Sequence, residues 1–182
     1  MTSIAPIIVT AELDQASHLV LDELRQRHFP AERNHLAAHL TMYHCLPGDA
    51  LDAVAERALS LAGAQGPLAA RLAGLRSLGR GVAVVVEADG LQWLRNALGA
   101  PFRPRLTAQD RQPWRPHVTI ANKLTQPAAA ALLDALQASW RPRAARVEGI
   151  TLWRYLGPQW GWQVTVSLAG TSPAAAGSAG PG

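Results

Sequence analysis

The sequence contains little of what marks several large classes of protein. Cys45 is its one cysteine, which excludes an internal disulfide and any zinc site built from several cysteines. No apolar run approaches membrane-spanning length, and the first residues lack the charged and apolar regions of a secretory leader. These absences predict a cytoplasmic protein that does not interact with a membrane.

The composition is that of a folded protein with a basic surface. Hydrophobic residues make up 48% of the 182 residues and charged residues 16%, which argues against disorder. The net charge is +4, and Lys123 is the single lysine among 17 basic residues, so the excess is arginine, which suits bidentate phosphate contacts. We expect one two-lobed domain over residues 1–170 and a disordered tail over 171–182, which is almost entirely Ala, Gly, Ser and Pro.

One short pattern occurs twice. His39–Met42 and His117–Ile120 both read histidine, apolar, threonine, apolar. In a β-strand, residues two apart point to the same face, so each segment places its histidine and threonine on one face and its apolar residues on the other. With six histidines and nine threonines, random placement predicts about 0.3 copies of His-x-Thr, so two copies in matching strand-like settings indicate a shared purpose.

The segments after the two motifs also repeat. Helical stretches follow at residues 51–62 and 128–140, then strand-like stretches at 69–77 and 82–88 in the first half and at 146–156 and 161–168 in the second. Both halves therefore read strand, helix, strand, strand. This predicts two related lobes, with the proline-rich stretch 101–116 as the crossing between them.

Paired His-x-Thr-x motifs in two related lobes resemble the two-histidine phosphoesterase superfamily, whose best-known branch comprises 2′-5′ RNA ligases and RNA 2′,3′-cyclic phosphodiesterases. The resemblance covers roughly residues 4–169. It implies an α+β fold: a bilobal, pseudo-symmetric duplication with antiparallel sheets lining a central groove and helices outside. The stretch Tyr43–Cys45 departs from the plainer apolar residues expected after the first motif, which leaves the subfamily and the substrate open.

The same resemblance implies the site. His39 and His117 would be the acid and the base, and Thr41 and Thr119 would hold the phosphate, with no metal and no cofactor. The expected partner is RNA or a small nucleotide carrying a 2′,3′-cyclic phosphate, hydrolysed by a monomeric enzyme that also forms 2′–5′ linkages in reverse. Which histidine is the base stays open, because the two lobes are nearly equivalent.

Strand parity adds candidate substrate contacts. Arg115 and Lys123 share the face of His117 in a regular strand, and Tyr43 shares the face of His39. The alternatives are that the two basic residues lie in solvent at the strand ends, and that Tyr43 is a packed aromatic.

Three further candidates lie in one later strand. Parity separates Arg154 from Trp153 and Tyr155, so either the cation or the aromatic rings face the groove, and a β-bulge would exchange the two faces. Packing in the core is the competing reading for the aromatic residues.

Two other functions remain open at this point. A non-catalytic RNA- or nucleotide-binding module of the same fold would keep its affinity without either histidine. A metal-dependent hydrolase would be inhibited by a chelator, although the spacing of His35 and His39 suits a metal only on a helix and no carboxylate or cysteine ligand is suitably close.

Overall fold

A computed structural model describes residues 4–170 of the chain. It contains seven strands: β1 (Ile7–Leu13), β2 (Leu40–Leu46), β3 (Leu68–Ser77), β4 (Val82–Ala88), β5 (His117–Ala121), β6 (Arg143–Tyr155) and β7 (Trp160–Ser167). It contains four α-helices: α1 (Gln15–His28), α2 (Leu51–Ala64), α3 (Leu91–Gly99) and α4 (Gln126–Ser139). Short 3₁₀ turns span Ala31–Arg33, Gly48–Ala50 and Ala100–Arg105. The predicted tail, 171–182, lies outside the described residues.

Local signals explain where two of the helices begin. The Asp14 carboxylate accepts the Ser17 N–H at 2.9 Å and caps α1. The Thr125 hydroxyl caps α4 in the same way, with Pro127 in its first turn. Sequence identifies α4 by its apolar residues rather than by its cap, which is why its predicted start at residue 128 is two residues late.

All seven strands belong to one antiparallel sheet that closes on itself. Its order is β1-β2-β5-β4-β3-β6-β7, and β1 also pairs with β6. Closure is possible because β6 is 13 residues long: residues 143–147 pair with β3, and residues 149–154 pair with β1. The prediction of an α+β fold with antiparallel strands and outer helices is confirmed, and β6 joins the strands of the two lobes into one barrel-like sheet.

The two motif strands meet at a single residue pair. Leu40 of β2 lies opposite Val118 of β5, and both side chains are almost completely buried. Each is the residue that directly follows a motif histidine, so this contact brings His39 and His117 to the same place. The predicted alternation is confirmed here, since the apolar positions of both motifs are buried: Leu40, Met42, Val118 and Ile120.

Among residues 4–170, no helix is both long enough and apolar enough to cross a membrane.

Candidate active site

The two motifs line one groove where β2 and β5 meet. A cavity of about 380 Å³ is bordered by both histidines and both threonines of the motifs, His39, Thr41, His117 and Thr119. All four side chains are half-buried, whereas their apolar neighbours form the core beneath. The sequence pattern therefore places four polar groups from two distant segments around a single space.

The two imidazoles are held in the same way. Nδ1 of His39 lies 2.8 Å from the carbonyl oxygen of Ala37, and Nδ1 of His117 lies 2.7 Å from that of Arg115. A carbonyl only accepts, so in each ring Nδ1–H is the donor and Nε2 carries the free lone pair. Each histidine thus has its tautomer fixed by the backbone two residues earlier, and Nε2 is the atom left for chemistry.

A β-bulge follows the first motif. Thr10 of β1 pairs with Thr41, but the next residue, Val9, pairs with Tyr43, so Met42 is an extra residue in β2. A bulge re-aims the side chains beyond it. Tyr43 consequently lies in the core, 2% exposed, instead of on the face of Thr41.

The second motif ends in a matching bulge. Ala83 of β4 pairs with Thr119, while Val82 pairs with Ala121, so Ile120 is the extra residue. Ala121 is completely buried as a result. The pseudo-symmetry of the two lobes thus extends to the backbone irregularity that terminates each His-x-Thr segment.

Two buried arginines bind the backbone at these bulges. Arg95 of α3 donates from Nε to the carbonyl of Met42 at 2.7 Å and from Nη2 to the carbonyl of Asp110 at 2.8 Å. Arg25 of α1 donates from Nη1 to the carbonyl of Thr119 at 2.8 Å. Each guanidinium satisfies carbonyl groups that would otherwise be buried without a partner. Both also place a positive charge behind the groove.

Burial makes both imidazoles weak bases. It lowers the pKa of His39 to about 4, with a smaller opposing effect of the hydrogen bond to Ala37 and a further lowering by the charge of Arg25. Burial also lowers the pKa of His117, and the charge of Arg76 contributes to that change. Both rings are therefore neutral near pH 7, and an anionic substrate would favour their protonation.

A family model described as the 2′-5′ RNA ligase superfamily matches residues 12–159. The chain belongs to this superfamily. Among curated proteins no sequence matches significantly. The predicted resemblance to two-histidine phosphoesterases is confirmed.

Solved structures show the same fold in distant relatives of this superfamily member. TT0787 of Thermus thermophilus is 21% identical, with a TM-score of 0.65 over 92% of this chain and 100% of that one. E. coli LigT complexed with 3′-AMP is 18% identical, with a TM-score of 0.58 over 90% of this chain and 98% of that one. A protein described as a phosphoesterase is 19% identical, with a TM-score of 0.59 over 91% and 99% of the two chains.

Of the two basic residues expected beside His117, the structure brings one to the groove. Arg115 borders the cavity and its side chain is exposed. Lys123 does not border it, because β5 ends at Ala121. Lys123 lies beyond the strand with a φ of 62°, and its backbone N–H donates to the Asn122 side chain. The bulge in β5 breaks the parity on which the expectation for Lys123 depended.

The structure also places Tyr43 and Arg154 away from the groove. The Tyr43 hydroxyl donates to the Arg95 carbonyl at 2.9 Å, so this ring is a packed aromatic and not a substrate contact. Arg154 donates from Nη1 to the carbonyls of Ala5 and Gly48 and holds the start of the chain against a turn. Nη1 of its guanidinium is thereby occupied by protein oxygens.

The two aromatic candidates of β6 separate. Trp153 is half-buried and lines a second cavity next to the groove. Tyr155 is 48% exposed at the end of β6 and lines neither of these two cavities. Of the two aromatic residues of β6 that were candidate substrate contacts, only Trp153 therefore lies beside the groove.

Nine residues that sequence reasoning did not assign to the site also border the groove, among them His44, Arg76, Trp114 and Trp160. The bulge at Met42 turns His44 away from the core and towards the groove, where its Nδ1 lies 3.2 Å from the Asp110 carboxylate. The Trp160 ring lies against His39, with ring centroids 4.7 Å apart. Local patterns contain no signal for these residues, because each depends on a bulge or on a distant segment.

The residues that the structure describes include no group of three or more His, Cys, Asp and Glu side chains arranged to hold a metal ion. The single free thiol, Cys45, is half-buried, and burial raises its pKa.

Proposed function

We propose that the protein is a phosphodiesterase that hydrolyses 2′,3′-cyclic phosphates, either at RNA ends or in free nucleotides. We also propose that the same site reversibly forms 2′–5′ RNA linkages when an RNA 5′-hydroxyl, instead of water, bonds to phosphorus and the P–O3′ bond breaks. Superfamily membership supports a phosphoesterase or RNA ligase type of function. The observation that carries the finer proposal is the pair of backbone-held imidazoles, each with a threonine two residues later, around one groove.

The chemistry requires one base and one acid. Nε2 of one histidine takes a proton from water as the water oxygen bonds to phosphorus. Nε2–H of the other gives a proton to the ribose oxygen as its bond to phosphorus breaks, which leaves a phosphomonoester. Nε2 is the free nitrogen of both His39 and His117, so the backbone-held tautomers suit both roles.

The lowered pKa values support an assignment of roles. His39, with a pKa of about 4, stays neutral over a wide range and suits the base. His117 then acts as the acid, protonated when the anionic phosphate enters the groove beside it. Arg115 borders the groove and supplies positive charge that favours this anion.

The threonines complete the phosphate site. The hydroxyls of Thr41 and Thr119 border the groove and are free of hydrogen bonds to other described side chains. Hydroxyl donors aimed at the non-bridging oxygens would stabilise the charge that develops in the transition state. Two structures of one relative, E. coli LigT with 3′-AMP and with NADP⁺, support a nucleotide as the ligand of this groove.

Product analysis tests the proposal. Purified protein is incubated with the four 2′,3′-cyclic nucleotides, with an oligonucleotide ending in a 2′,3′-cyclic phosphate, and with a 2′–5′-linked dinucleotide, and products are separated by chromatography. We expect cyclic phosphates to open to monoesters in the native protein and in His35→Ala, whose histidine is exposed and outside the groove. His117→Ala should lose the activity. Binding without turnover of any of these substrates would favour the non-catalytic binding module instead.

A further inference from the structure

A second cavity adjoins the groove on the far side of His39. Its volume is about 270 Å³, and it shares His39 and Trp160 with the groove. Apolar side chains from α1, β2 and β5 form much of its wall, among them Leu21, Leu40 and Val118. A phosphate beside His39 would therefore have its attached group next to this opening.

Three of the residues that line the cavity are aromatic. The Trp160 ring is 4.7 Å from His39 and 6.2 Å from Trp153, measured between centroids, with the rings of each pair tilted by about 60°. A planar heterocycle gains stacking energy on such rings, whereas a flexible chain does not. A cavity lined by aromatic and aliphatic side chains together suits a nucleobase.

A hydrogen-bond chain in this cavity ends in a carboxylate. Trp153 donates from Nε1 to the Thr10 hydroxyl at 3.0 Å, and Thr10 donates onward to Oε1 of Glu12 at 3.0 Å. The Trp153 N–H and the Thr10 hydroxyl both donate within this series of hydrogen bonds. Glu12, at its end, presents only acceptor positions to the cavity. Gly149 lies opposite Glu12 in the sheet and leaves room for its methylene groups.

No cation of the described chain neutralises this carboxylate. Over residues 4–170, no arginine, lysine or histidine forms an ion pair with Glu12, which is half-buried among mostly apolar neighbours. A half-buried carboxylate that no cation pairs, and that accepts one side-chain hydrogen bond, favours a ligand that supplies further N–H donors. The cavity therefore combines aromatic rings for stacking with a carboxylate, Glu12, that can accept hydrogen bonds from a ligand.

We propose that this cavity binds the base of the nucleotide whose phosphate lies in the groove, and that Glu12 makes it selective for guanine. Guanine carries two adjacent donors, N1–H and N2–H, which match the two oxygens of one carboxylate. Adenine presents a bare N1 lone pair beside its amino group, and uracil flanks its N3–H with carbonyl oxygens, so both set an acceptor against the carboxylate. The assignment rests on the proposed function, because that function places the phosphate beside His39.

The turnover test compares bases and variants. kcat/KM is measured for 2′,3′-cyclic GMP, AMP, UMP and CMP with the native protein, with Glu12→Gln, and with Glu148→Gln, an exposed carboxylate of β6 outside both cavities. We expect the native protein to prefer the guanine substrate about tenfold or more, the effect of one hydrogen bond to a charged group. Glu12→Gln should remove most of that preference by lowering kcat/KM for the guanine substrate, while Glu148→Gln keeps the native pattern.

A binding test separates this inference from the proposed function. The monoesters 3′-GMP and 3′-AMP are titrated while the intrinsic tryptophan fluorescence, to which Trp153 and Trp160 contribute, is followed, which needs no turnover. Tighter binding of 3′-GMP that is lost in Glu12→Gln would support the guanine site even if no cyclic phosphate is hydrolysed. Equal affinities in the native protein, or a preference unchanged in Glu12→Gln, would overturn it even if hydrolysis is rapid. The variant amide still accepts from Thr10, and thermal melting checks that the fold is kept.

Discussion

Asp110 holds the bulge of β2 from a loop that has no regular structure. Its carboxylate, only 2% exposed, accepts the backbone N–H of His44 and of Cys45, each at 2.9 Å, and Nδ1 of His44 at 3.2 Å. These bonds fix the backbone two residues beyond the bulge residue, Met42, and aim His44 into the groove. Asp110→Asn keeps the shape of the side chain but turns an NH₂ group towards one of these donors.

The expected cost follows from the bonds lost. A hydrogen bond to a charged group contributes about 1.5–3 kcal/mol, and the amide keeps part of the set, so we expect a loss of roughly 2–4 kcal/mol of unfolding free energy in Asp110→Asn. Urea denaturation measures it. Asp49→Asn is the matched control, since it removes the same charge from an exposed pair with Arg105 and should have little effect. If the two variants lose equal stability, Asp110 does not support the bulge as described.

The pH dependence of that difference is a second readout. Burial raises the pKa of Asp110, but the hydrogen bonds from His44 and Cys45 outweigh it and hold the pKa below its ordinary value. The contribution of a carboxylate with a lowered pKa is present above the unfolded pKa, about 3.9, and is lost as pH falls through the folded pKa. The stability difference between the native protein and Asp110→Asn should thus be constant from neutrality to about pH 5 and shrink below about pH 4.

Three further predictions concern the groove. Thr41→Val and Thr119→Val should each lower kcat more than they raise KM, because the hydroxyls act on charge developed in the transition state; a change confined to KM would contradict this. EDTA should leave activity unchanged, and loss on chelation with recovery on adding zinc or manganese would favour a metal-dependent hydrolase. Tyr43→Phe should destabilise the protein by about 1 kcal/mol through the lost bond to Arg95, with kcat/KM kept; a large loss of activity at native stability would return Tyr43 to the site.

Sequence predicts those residues of the site whose side chains alternate regularly between the two faces of a strand. His39 and Thr41 share a face because residues two apart do so in any strand, and the same rule applies to His117 and Thr119. Their apolar neighbours are correspondingly buried. The helices are predictable for a similar reason, because a buried face repeats along a helix.

The part that sequence does not predict depends on breaks in that period. One extra residue in β2 moves Tyr43 into the core and His44 into the groove, and no glycine or proline within the motif marks the break. Arg95 reads as a surface residue of α3 until the carbonyls that it binds are seen. Trp160 reaches His39 only because β6, the hairpin partner of β7, pairs with β1, which pairs in turn with β2; these are contacts between distant segments.

The acid–base pair is tested most directly by the pH dependence of kcat/KM with chemistry rate-limiting. An ordinary histidine titrates near pH 6.5, which from sequence alone predicts an optimum near neutrality. The lowered pKa values of both rings move the expected optimum of the free enzyme to the acidic side. Activity should rise with pH as His39 loses its proton, near pH 4, and fall as His117 loses its proton, below about pH 6.5.

Single variants assign the two limbs. His39→Ala and His117→Ala should each lose about 10²–10⁴ in rate with folding intact, and each should lose one limb of the profile. A substrate with a p-nitrophenolate leaving group, which needs no proton, should partly restore His117→Ala and not His39→Ala. That result, with a bell-shaped native profile, is what the paired-histidine mechanism predicts. A flat native profile from about pH 3.5 to 9 would contradict acid–base catalysis by this pair, even if both histidines proved essential.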